Sequence, residues 1–432
     1  MAAGLGTRMR SSVPKHLHPL LGRRMVDWAL GAVRPLEPDP LVVVCSPETE
    51  AAFADGVVTA LQREPRGTGD AVAAARGALA GFEGDVLVVP GDAPLVTAEL
   101  LADVVRAQRE EPAAATLLAI ETNRELAYGR IVRGGDGQVQ RIVEERDATP
   151  QERRIRELNA SIYAFSAPDL LWALERLAAD NAQGELYLTD TIHHLAKDGR
   201  RVSVVRTGDA DAAQGVNTRA ELADAARVLR DRILRGHMLA GVTVVDPAST
   251  WIEADVELAA DVVVHPFTVL RGTTVVETGA EVGPHAVAES ARIGERAIVG
   301  PFAYLRPGTA LAADSKVGTF VEVKNSRIGE RTKVPHLSYI GDAEIGEDTN
   351  IGAGAITANY RPELGGGKQP TRIGSNVHTG SDNVFVAPVE IGDDAWVAAG
   401  STVTEDVPPG ALAIARARQI VKENYGDRDR ND

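Results

Sequence analysis

Cationic and imidazole side chains recur at a regular spacing in the second half of the sequence. Arg306 and Lys324 are 18 residues apart, and His336 follows them. Two neighbouring cations suit a sugar phosphate, and an imidazole beside them can accept a proton near neutral pH. Further polar groups follow in the order Tyr339, Asn350, Asn359 and Tyr360. If His336 stood alone, it would be interpreted as a surface histidine. Because cations and polar residues accompany it, the sequence favours a general base.

The N-terminal stretch "AAGLGTRMRSSVPK" combines glycines with cations. Gly4 and Gly6 offer backbone N–H groups that can approach a phosphate closely, and Thr7 adds a hydroxyl. Arg8 and Lys15 offer positive charge. The stretch favours phosphate binding, although a solvated glycine turn has the same composition.

Two more stretches of the first half carry ligand-binding chemistry. Gln62, with the Gly67–Thr68 pair at the start of a predicted helix, provides an amide and backbone groups that suit a base. Asp92 follows an apolar strand, and Asn217 stands at the end of the predicted first domain. Carboxylate and amide oxygens are ligands of Mg²⁺, so both residues are candidate Mg²⁺ ligands. The alternative for both is a helix cap.

Alternating strand and helix patterns must position the first set. "PLVVVCS", "GDVLVVPGDAPL", "AATLLAIE" and "RVSVVRT" predict strands, and "GDAVAAARGALAGF" and "TAELLADVVRAQREE" predict helices. This order indicates an α/β domain with a mostly parallel sheet, which binds ligands beyond the carboxyl ends of its strands. A long amphipathic helix is predicted from Arg219 onward.

A six-residue repeat must position the second set. Aliphatic residues recur at Ile252, Leu258, Val264, Leu270, Val276 and Val282, and again at Ile293, Val299, Leu305, Leu311, Val317 and Val323. One inward aliphatic residue per six predicts a parallel β-helix with triangular coils of about 18 residues. Arg306, Lys324 and His336 are then expected along one wall. The repeat breaks between Asn359 and Gly374, which predicts an ejected loop.

Composition limits the class of protein. The 432 residues are enough for two or three domains, with 44% hydrophobic and 25% charged residues. The net charge of −15 argues against nucleic-acid or membrane binding, because polyanions are repelled. Cys45 is the single cysteine and cannot form an internal disulfide, and no apolar run of about 18 residues occurs. We therefore expect a soluble cytoplasmic protein.

Motifs across nearly the whole chain resemble a known family. "AAGLGTRM…PK", "GD" after an apolar strand, "AYGRIV", "IVEERDAT", "LNASIYAF", "ELYLTD" and "GVN" follow the order of nucleotide-sugar pyrophosphorylases. With the hexapeptide half, the chain is similar to the bacterial bifunctional N-acetylglucosamine-1-phosphate uridylyltransferases/glucosamine-1-phosphate N-acetyltransferases. The resemblance implies a Rossmann-like nucleotidyltransferase domain at 1–218, a linker helix at 219–240 and a left-handed parallel β-helix acetyltransferase domain at 241–432.

The resemblance also implies roles for matching residues. Mg²⁺ would be held by Asp92 and Asn217, and the proton acceptor would be His336. UTP and the UDP-sugar would contact Gly4, Arg8, Lys15, Gln62, Gly67, Thr68, Gly129, Glu144, Asn159 and Asn217. Glucosamine 1-phosphate would contact Arg306, Lys324, Tyr339 and Asn350. Acetyl-CoA would contact Ala353, Asn359, Tyr360, Ser381, Ala399 and Arg416.

The activity implied is UDP-N-acetylglucosamine synthesis in two steps by a homotrimer. The C-terminal half would acetylate glucosamine 1-phosphate, and the N-terminal half would then join N-acetylglucosamine 1-phosphate to UMP from UTP. Another nucleotide-sugar pyrophosphorylase with a purely structural or regulatory β-helix is the main alternative. A non-catalytic trimeric scaffold is the other.

The sequence departs from the family pattern in several places. No apolar strand precedes "AAG", which predicts a weak or unfolded N-terminal domain unless translation starts upstream. Pro65 and Arg66 replace the usual Gln-Leu, and Asp70 stands where His is common. The loop 361–371 carries a Gly-rich insertion, and Thr218 follows Asn217 with little expected effect.

Overall fold

The chain folds as two compact units. The computed structural model describes residues 1–4, 6–53, 56–123, 126–423 and 425–426. The units are Met1–Leu229 and Arg230–Asp432, and the division falls inside the helix Arg219–Leu239. Among the described helices, none combines the length and the apolar character that a bilayer crossing needs.

The first unit is an α/β structure. Its helices, including the one at the division, are α1 Met25–Val33, α2 Thr68–Ala74, α3 Ala98–Glu110, α4 Ala167–Leu174, α5 Thr189–Lys197 and α6 Arg219–Leu239. Its strands are β1 Pro19–Leu20, β2 Arg23–Arg24, β3 Val42–Cys45, β4 Val58–Leu61, β5 Asp85–Val88, β6 Ala115–Glu121, β7 Arg130–Arg133, β8 Val139–Val143, β9 Glu157–Ser166 and β10 Val202–Thr207.

The main sheet of this unit is mixed, which corrects the expectation of a mostly parallel sheet. The order is β10-β6-β9-β7-β8. β5 pairs with residues 163–166 of β9, whereas β7 pairs with β9 at Leu158. β10 runs parallel to β6, but β9 runs antiparallel to β5, β6 and β7. The stretch "LNASIYAF", for which no strand was predicted, forms most of the long β9, and this strand runs antiparallel to its neighbours.

Alternating side chains of β6 build the cores on both faces of the sheet. Leu117 packs in one apolar cluster with Tyr163, and Leu118 packs in another with Ile162. This follows from the two-residue period of a strand. Helix α3 covers one face; it begins where the Thr97 hydroxyl accepts a hydrogen bond from the backbone N–H of Leu100 at 3.3 Å.

The second unit is the left-handed parallel β-helix. Sheet I contains Thr243–Val244, Val263–Val264, Glu281–Val282, Ile298–Val299, Lys316–Thr319 and Lys333–His336, and continues through Asn350 to His378–Thr379, Trp396–Val397 and Leu412–Ala413. Sheet II contains Trp251–Ile252, Val269–Arg271, Val287–Glu289, Tyr304–Leu305, Glu322–Lys324, Tyr339–Gly341, Ile356–Ala358, Val384–Val386 and Thr402–Val403. Sheet III contains Glu257–Leu258, Val275–Val276, Arg292–Ile293, Ala310–Leu311, Arg327–Ile328, Ala343–Ile345, Thr371–Ile373 and Val389–Ile391.

The repeat predicted from the sequence forms the core of this unit. Val264, Leu270, Val276 and Val282 are at most 1% exposed, and they pack in one continuous cluster with the later repeat positions. The predicted ejected loop lies between sheets II and III and contains a small hairpin, Tyr360–Arg361 with Gly367–Lys368.

The corner between sheets I and II carries an aromatic ladder. It consists of Phe267, His285, Phe302 and Phe320, whose ring centroids are 4.6, 4.8 and 5.2 Å apart along the stack. All four have positive φ, and the three phenylalanines are 47–58% exposed. In contrast, the corner between sheets III and I carries charged pairs such as Arg296 with Asp314.

A cavity in the first unit lies where the sequence analysis found no first strand. β3 pairs with β4 and β5 pairs with β9, and a space of about 1060 Å³ separates β3 from β5. Of the described residues, Met1 and Ala2 supply the backbone hydrogen bonds that cross the space, to Val89 and Val44. The cavity walls include the strand residues 42–44 and 86–88.

Filling this cavity should stabilise the first unit. We expect an apolar extension Val-Ile-Val-Leu ahead of Met1 to pair with the parts of β3 and β5 that face the cavity and to bury its side chains. The expected result is a higher thermal midpoint, by about 2–4 °C for each kcal/mol gained in a domain of this size. Differential scanning calorimetry would compare it with a Gly-Ser-Gly-Ser extension. Equal midpoints for the two extensions would contradict the prediction.

Candidate functional site

The cations of the N-terminal turn converge on two oxygen-bearing side chains. Lys15 Nζ pairs with the Asp92 carboxylate and lies 3.0 Å from Asn217 Oδ1. Arg8 Nη2 donates to the same Asn217 oxygen at 2.8 Å. Gly6 is needed here, because its φ is +61° and a Cβ would lie 2.5 Å from the Lys15 Cβ.

Neither Asp92 nor Asn217 is used as a helix cap. Thr218 caps α6: its hydroxyl accepts from the Glu221 N–H, and the Glu221 carboxylate accepts from the Thr218 N–H. α3 is capped by Thr97. The side chains of Asp92 and Asn217 therefore face the cations.

The pair Asp92 and Asn217 fits a small divalent cation. Both present oxygens to a single point charge, the Lys15 ammonium, so the two side chains already converge around a cation position. Carboxylate and amide oxygens are ligands that Mg²⁺ accepts. Phosphate oxygens and water would complete the coordination.

The predicted base-binding residues lie together between β4 and α2. Gln62 is buried, and its amide contacts Gly67 and Asp70. Gly67 has a φ of +115°, and a Cβ there would lie 2.5 Å from the Leu186 carbonyl oxygen. The Thr68 hydroxyl accepts a hydrogen bond from the Leu188 N–H at 3.0 Å, so its side chain serves the fold of this loop.

The three residues predicted to hold the sugar lie close together. The Gly129 carbonyl accepts from the Asn159 N–H at 2.8 Å, and a Cβ at Gly129 would lie 3.5 Å from Glu144 Oε2. Asn159 Nδ2 donates to the Tyr163 hydroxyl at 2.7 Å. Burial raises the pKa of Glu144, while a hydrogen bond from the Thr189 hydroxyl acts to lower it.

Three of the four predicted sugar-phosphate residues of the β-helix lie in sheet II or directly after one of its strands: Arg306, Lys324 and Tyr339. Leu305 pairs with Val323, so Arg306 and Lys324 follow paired residues in adjacent coils. Arg306 Nη1 donates to Glu322 Oε1 at 2.8 Å, and Glu322 pairs in register with Tyr339. Arg306 and Lys324 lie at the ends of sheet II strands, where the chain turns toward sheet III. His336 lies at the opposite side of sheet II, where the chain arrives from sheet I.

His336 heads a column at the corner between sheets I and II. The Gly354 N–H donates to the His336 carbonyl at 3.3 Å, and the next coils repeat this contact at Ala353 and Ser381, at 2.7 and 2.8 Å. The column therefore runs through His336, Ala353, Ser381 and Ala399. At the next position along the same corner, the earlier coils carry Phe320 and Leu337, whereas the later coils carry Gly354, Asp382 and Gly400. The smaller side chains of the later coils leave room along the column.

The remaining predicted residues are spread around this column. Asn359 is buried, and its Nδ2 donates to Asp342 Oδ2 at 2.6 Å and lies 3.4 Å from the Tyr339 hydroxyl. Tyr360 is exposed and lies beneath the ammonium of Lys368. Asn350 bridges sheet I, and the exposed Arg416 lies near Gly400.

Comparisons with known proteins decide the family. Residues 1–190 match the MobA-like NTP transferase domain, and residues 370–405 match the hexapeptide repeat of succinyl-transferase. The bifunctional protein GlmU of Mycolicibacterium vanbaalenii is 49% identical across 100% of this chain and 92% of its own length. Those of Streptomyces coelicolor and Mycobacterium tuberculosis are 48% and 47% identical, across 100% of this chain and 94% and 92% of theirs.

The chain belongs to the bifunctional GlmU family. The resemblance drawn from the motifs is thereby confirmed. The match to the GlmU relative spans both the α/β unit and the β-helix.

Several residues beside the candidate sites were not identified from the sequence. Glu322 anchors Arg306, Asp342 holds Asn359, and Thr189 holds Glu144. Glu322 stands two residues before Lys324, and its outward position in the repeat was a usable signal. Asp342 and Thr189 contact their partners from other coils or elements, so no local pattern reveals them.

Glu144 should cost the folded state stability once it ionises. Its pKa is raised on folding, so the penalty is absent below the ordinary glutamate pKa of about 4.3 and grows as pH rises through the raised value. We expect Glu144→Gln to raise the thermal midpoint at pH 7 and to lose this advantage as pH falls toward 5. Scanning fluorimetry would follow it, with the exposed Glu83→Gln as control. The same midpoint difference at both pH values would refute the assignment.

Proposed function

We propose that the protein makes UDP-N-acetylglucosamine in two steps, with UTP and acetyl-CoA as co-substrates. The second unit would acetylate glucosamine 1-phosphate, and the first would then transfer UMP from UTP to N-acetylglucosamine 1-phosphate with release of pyrophosphate. The observation that carries the proposal is the corner beside His336, where the Phe and Leu of the earlier coils give way to Gly354, Asp382 and Gly400, a change that a purely structural solenoid does not require. Membership of the bifunctional GlmU family agrees with it.

The acetyl transfer needs a neutral amine and a proton acceptor. The phosphate of glucosamine 1-phosphate would bind Arg306 and Lys324, with Tyr339 and Asn350 completing the sugar site. An imidazole nitrogen of His336 would take the proton as the 2-amino nitrogen attacks the thioester carbonyl. The new C–N bond forms as the C–S bond breaks, and coenzyme A leaves as the thiol. Direct attack needs no acyl-enzyme.

Acetyl-CoA would lie along the corner column. Ala353, Ser381 and Ala399 are small, and their backbone groups line a straight edge over successive coils. Asn359 and Tyr360 would contact the coenzyme from the ejected loop, and Arg416 is available for its phosphates.

The uridylyl transfer depends on positioning two anions. A sugar 1-phosphate oxygen would attack the α-phosphorus of UTP in line with the departing pyrophosphate. Arg8 and Lys15 would offset the phosphate charges, with the Gly4 turn close to the phosphates. The base would lie against Gln62, Gly67 and Thr68, and the sugar against Gly129, Glu144 and Asn159.

Asp92 and Asn217 would hold Mg²⁺, which supplies further neutralisation of phosphate charge when bound. Lys15, which these two oxygens hold here, would then be released toward the phosphates. We assign the nucleotidyltransferase function to 1–218, the linker to 219–240 and the acetyltransferase function to 241–432. Because UTP and acetyl-CoA belong to intracellular metabolism, the reaction would take place in the cytoplasm.

We further propose a homotrimer, in which the aromatic corner of each β-helix faces another copy. Three exposed phenylalanines in one stack form an apolar strip, whereas the corner between sheets III and I is charged. Apolar strips of this kind mark protein interfaces. Hexapeptide repeats in the GlmU family agree with assembly.

An assay of each half-reaction tests the function. We expect the wild-type protein to acetylate glucosamine 1-phosphate, and His336→Ala to reduce this turnover by roughly two orders of magnitude or more. The same variant should still convert N-acetylglucosamine 1-phosphate and UTP to UDP-N-acetylglucosamine at the wild-type rate. Coenzyme A release and pyrophosphate release report the two steps. Absence of acetyl transfer by the wild type would overturn the first half of the proposal.

The trimer is tested by changing the ladder without straining the corner. Phe302→Asn with Phe320→Asn should yield smaller species in sedimentation analysis and lose acetyl transfer, because asparagine accepts positive φ but has no apolar ring. Asp261→Asn, at another corner with φ of +65°, is the matched control and should stay assembled. An unchanged sedimentation coefficient for the double variant would contradict the proposal.

A further inference from the structure

The side-chain amide of Gln62 is held from two sides inside the first unit. Its Nε2 donates to the Gly67 carbonyl oxygen at 3.0 Å and to Asp70 Oδ2 at 2.9 Å. A backbone carbonyl and a carboxylate can only accept hydrogen bonds, so the amide nitrogen, and not the oxygen, must face them. Both hydrogens of the Gln62 amide nitrogen are therefore used in hydrogen bonds within the protein.

Asp70 is itself anchored. Its Oδ1 accepts from Arg66 Nη2 at 2.7 Å, while its side chain is 12% exposed and that of Arg66 is 63% exposed. Arg66 thus covers the solvent side of the carboxylate, and Gln62 covers the inner side. Arg66 and Asp70 are two of the positions noted above as departures from the family pattern.

The remaining polar atom of the amide is its oxygen. None of the residues that the structure describes donates a hydrogen bond to Gln62 Oε1. A half-turn of the amide would place this oxygen against the Gly67 carbonyl and the Asp70 carboxylate, and two hydrogen bonds would become two contacts between acceptors. The amide is consequently locked as an acceptor.

We propose that Asp70 sets the base preference of the nucleotide site by locking Gln62 with its oxygen available to the base. The proposal rests on the proposed uridylyl transfer, in which Gln62 contacts the base. The pairing edge of uracil has one donor, N3–H, and an acceptor-only amide binds it. Cytosine has a lone pair at N3 and carries its donor at N4. With Gln62 Oε1 placed opposite N3, the locked oxygen would accept from uracil and repel cytosine, whereas a freely rotating amide would turn and donate to cytosine N3.

A purely structural role for Asp70 makes a different prediction. The residue lies in the first turn of α2, where a carboxylate also stabilises the helix through its dipole. Loss of that effect lowers the thermal midpoint but weakens UTP and CTP binding equally. The ratio of the two affinities therefore separates the lock from general stability.

The experiment measures dissociation constants of UTP and CTP for the full chain with Mg²⁺ by calorimetry. Asp70→Asn can present an NH₂ group to a turned Gln62, which removes one of the two contacts between acceptors and leaves that with the Gly67 carbonyl; we expect its preference for UTP over CTP to fall about tenfold. Asp70→Glu keeps an acceptor-only group and should retain most of the preference. Arg66→Met removes the exposed ion pair alone and should change the ratio less than about twofold.

Each outcome bears on the lock. A wild-type preference for UTP that falls in Asp70→Asn and survives in the two other variants supports it. An unchanged ratio in Asp70→Asn, an equal loss in Arg66→Met, or a wild type that binds both nucleotides equally overturns it. Turnover with N-acetylglucosamine 1-phosphate is measured in parallel: binding preference without turnover counts against the proposed function and leaves the lock supported.

Discussion

Registered hydrogen bonding between successive coils is the constraint on which the second unit depends. Each strand pairs with the equivalent strand of the next coil, as Val263 does with Glu281, and one aliphatic residue per strand points inward. Outward positions are then determined by their place in the coil, so residues far apart in sequence form straight columns. The bridge from Asn350 to His378 keeps this register across the ejected loop, which lengthens one coil without disturbing those that follow.

In the first unit, the positive charge of Lys15 is held by side-chain oxygens of Asp92 and Asn217. Lys15 lies between Asp92 and Asn217, and this arrangement is possible because Thr218 and Thr97 take over the capping of the two nearby helices. The same oxygens that hold the ammonium are suited to a divalent cation. Under the proposed function, a nucleotide and a metal ion would exchange these existing charge contacts for their own.

Buried polar groups mark the parts of both units that the proposed chemistry would use. Glu144, Asn159, Gln62 and Asn359 are all buried or largely buried, and each is held by a specific partner. Burying such groups costs free energy unless they are hydrogen-bonded. The partners, among them Thr189, Asp70 and Asp342, therefore determine the orientation in which each group meets a ligand.

The two-part architecture, the inward positions of the repeat and the ejected loop could all be predicted from the sequence, because hydrophobic period and turn residues are local properties. Motif order was enough to identify the family. Three features could be seen only after folding. The antiparallel β9 makes the main sheet mixed, Asp92 and Asn217 do not cap helices, and Asp70 holds the side-chain amide of Gln62. These depend on which strands and side chains meet after folding. A periodic pattern carries no information about such meetings, because strand order and side-chain partners are selected by packing between distant segments.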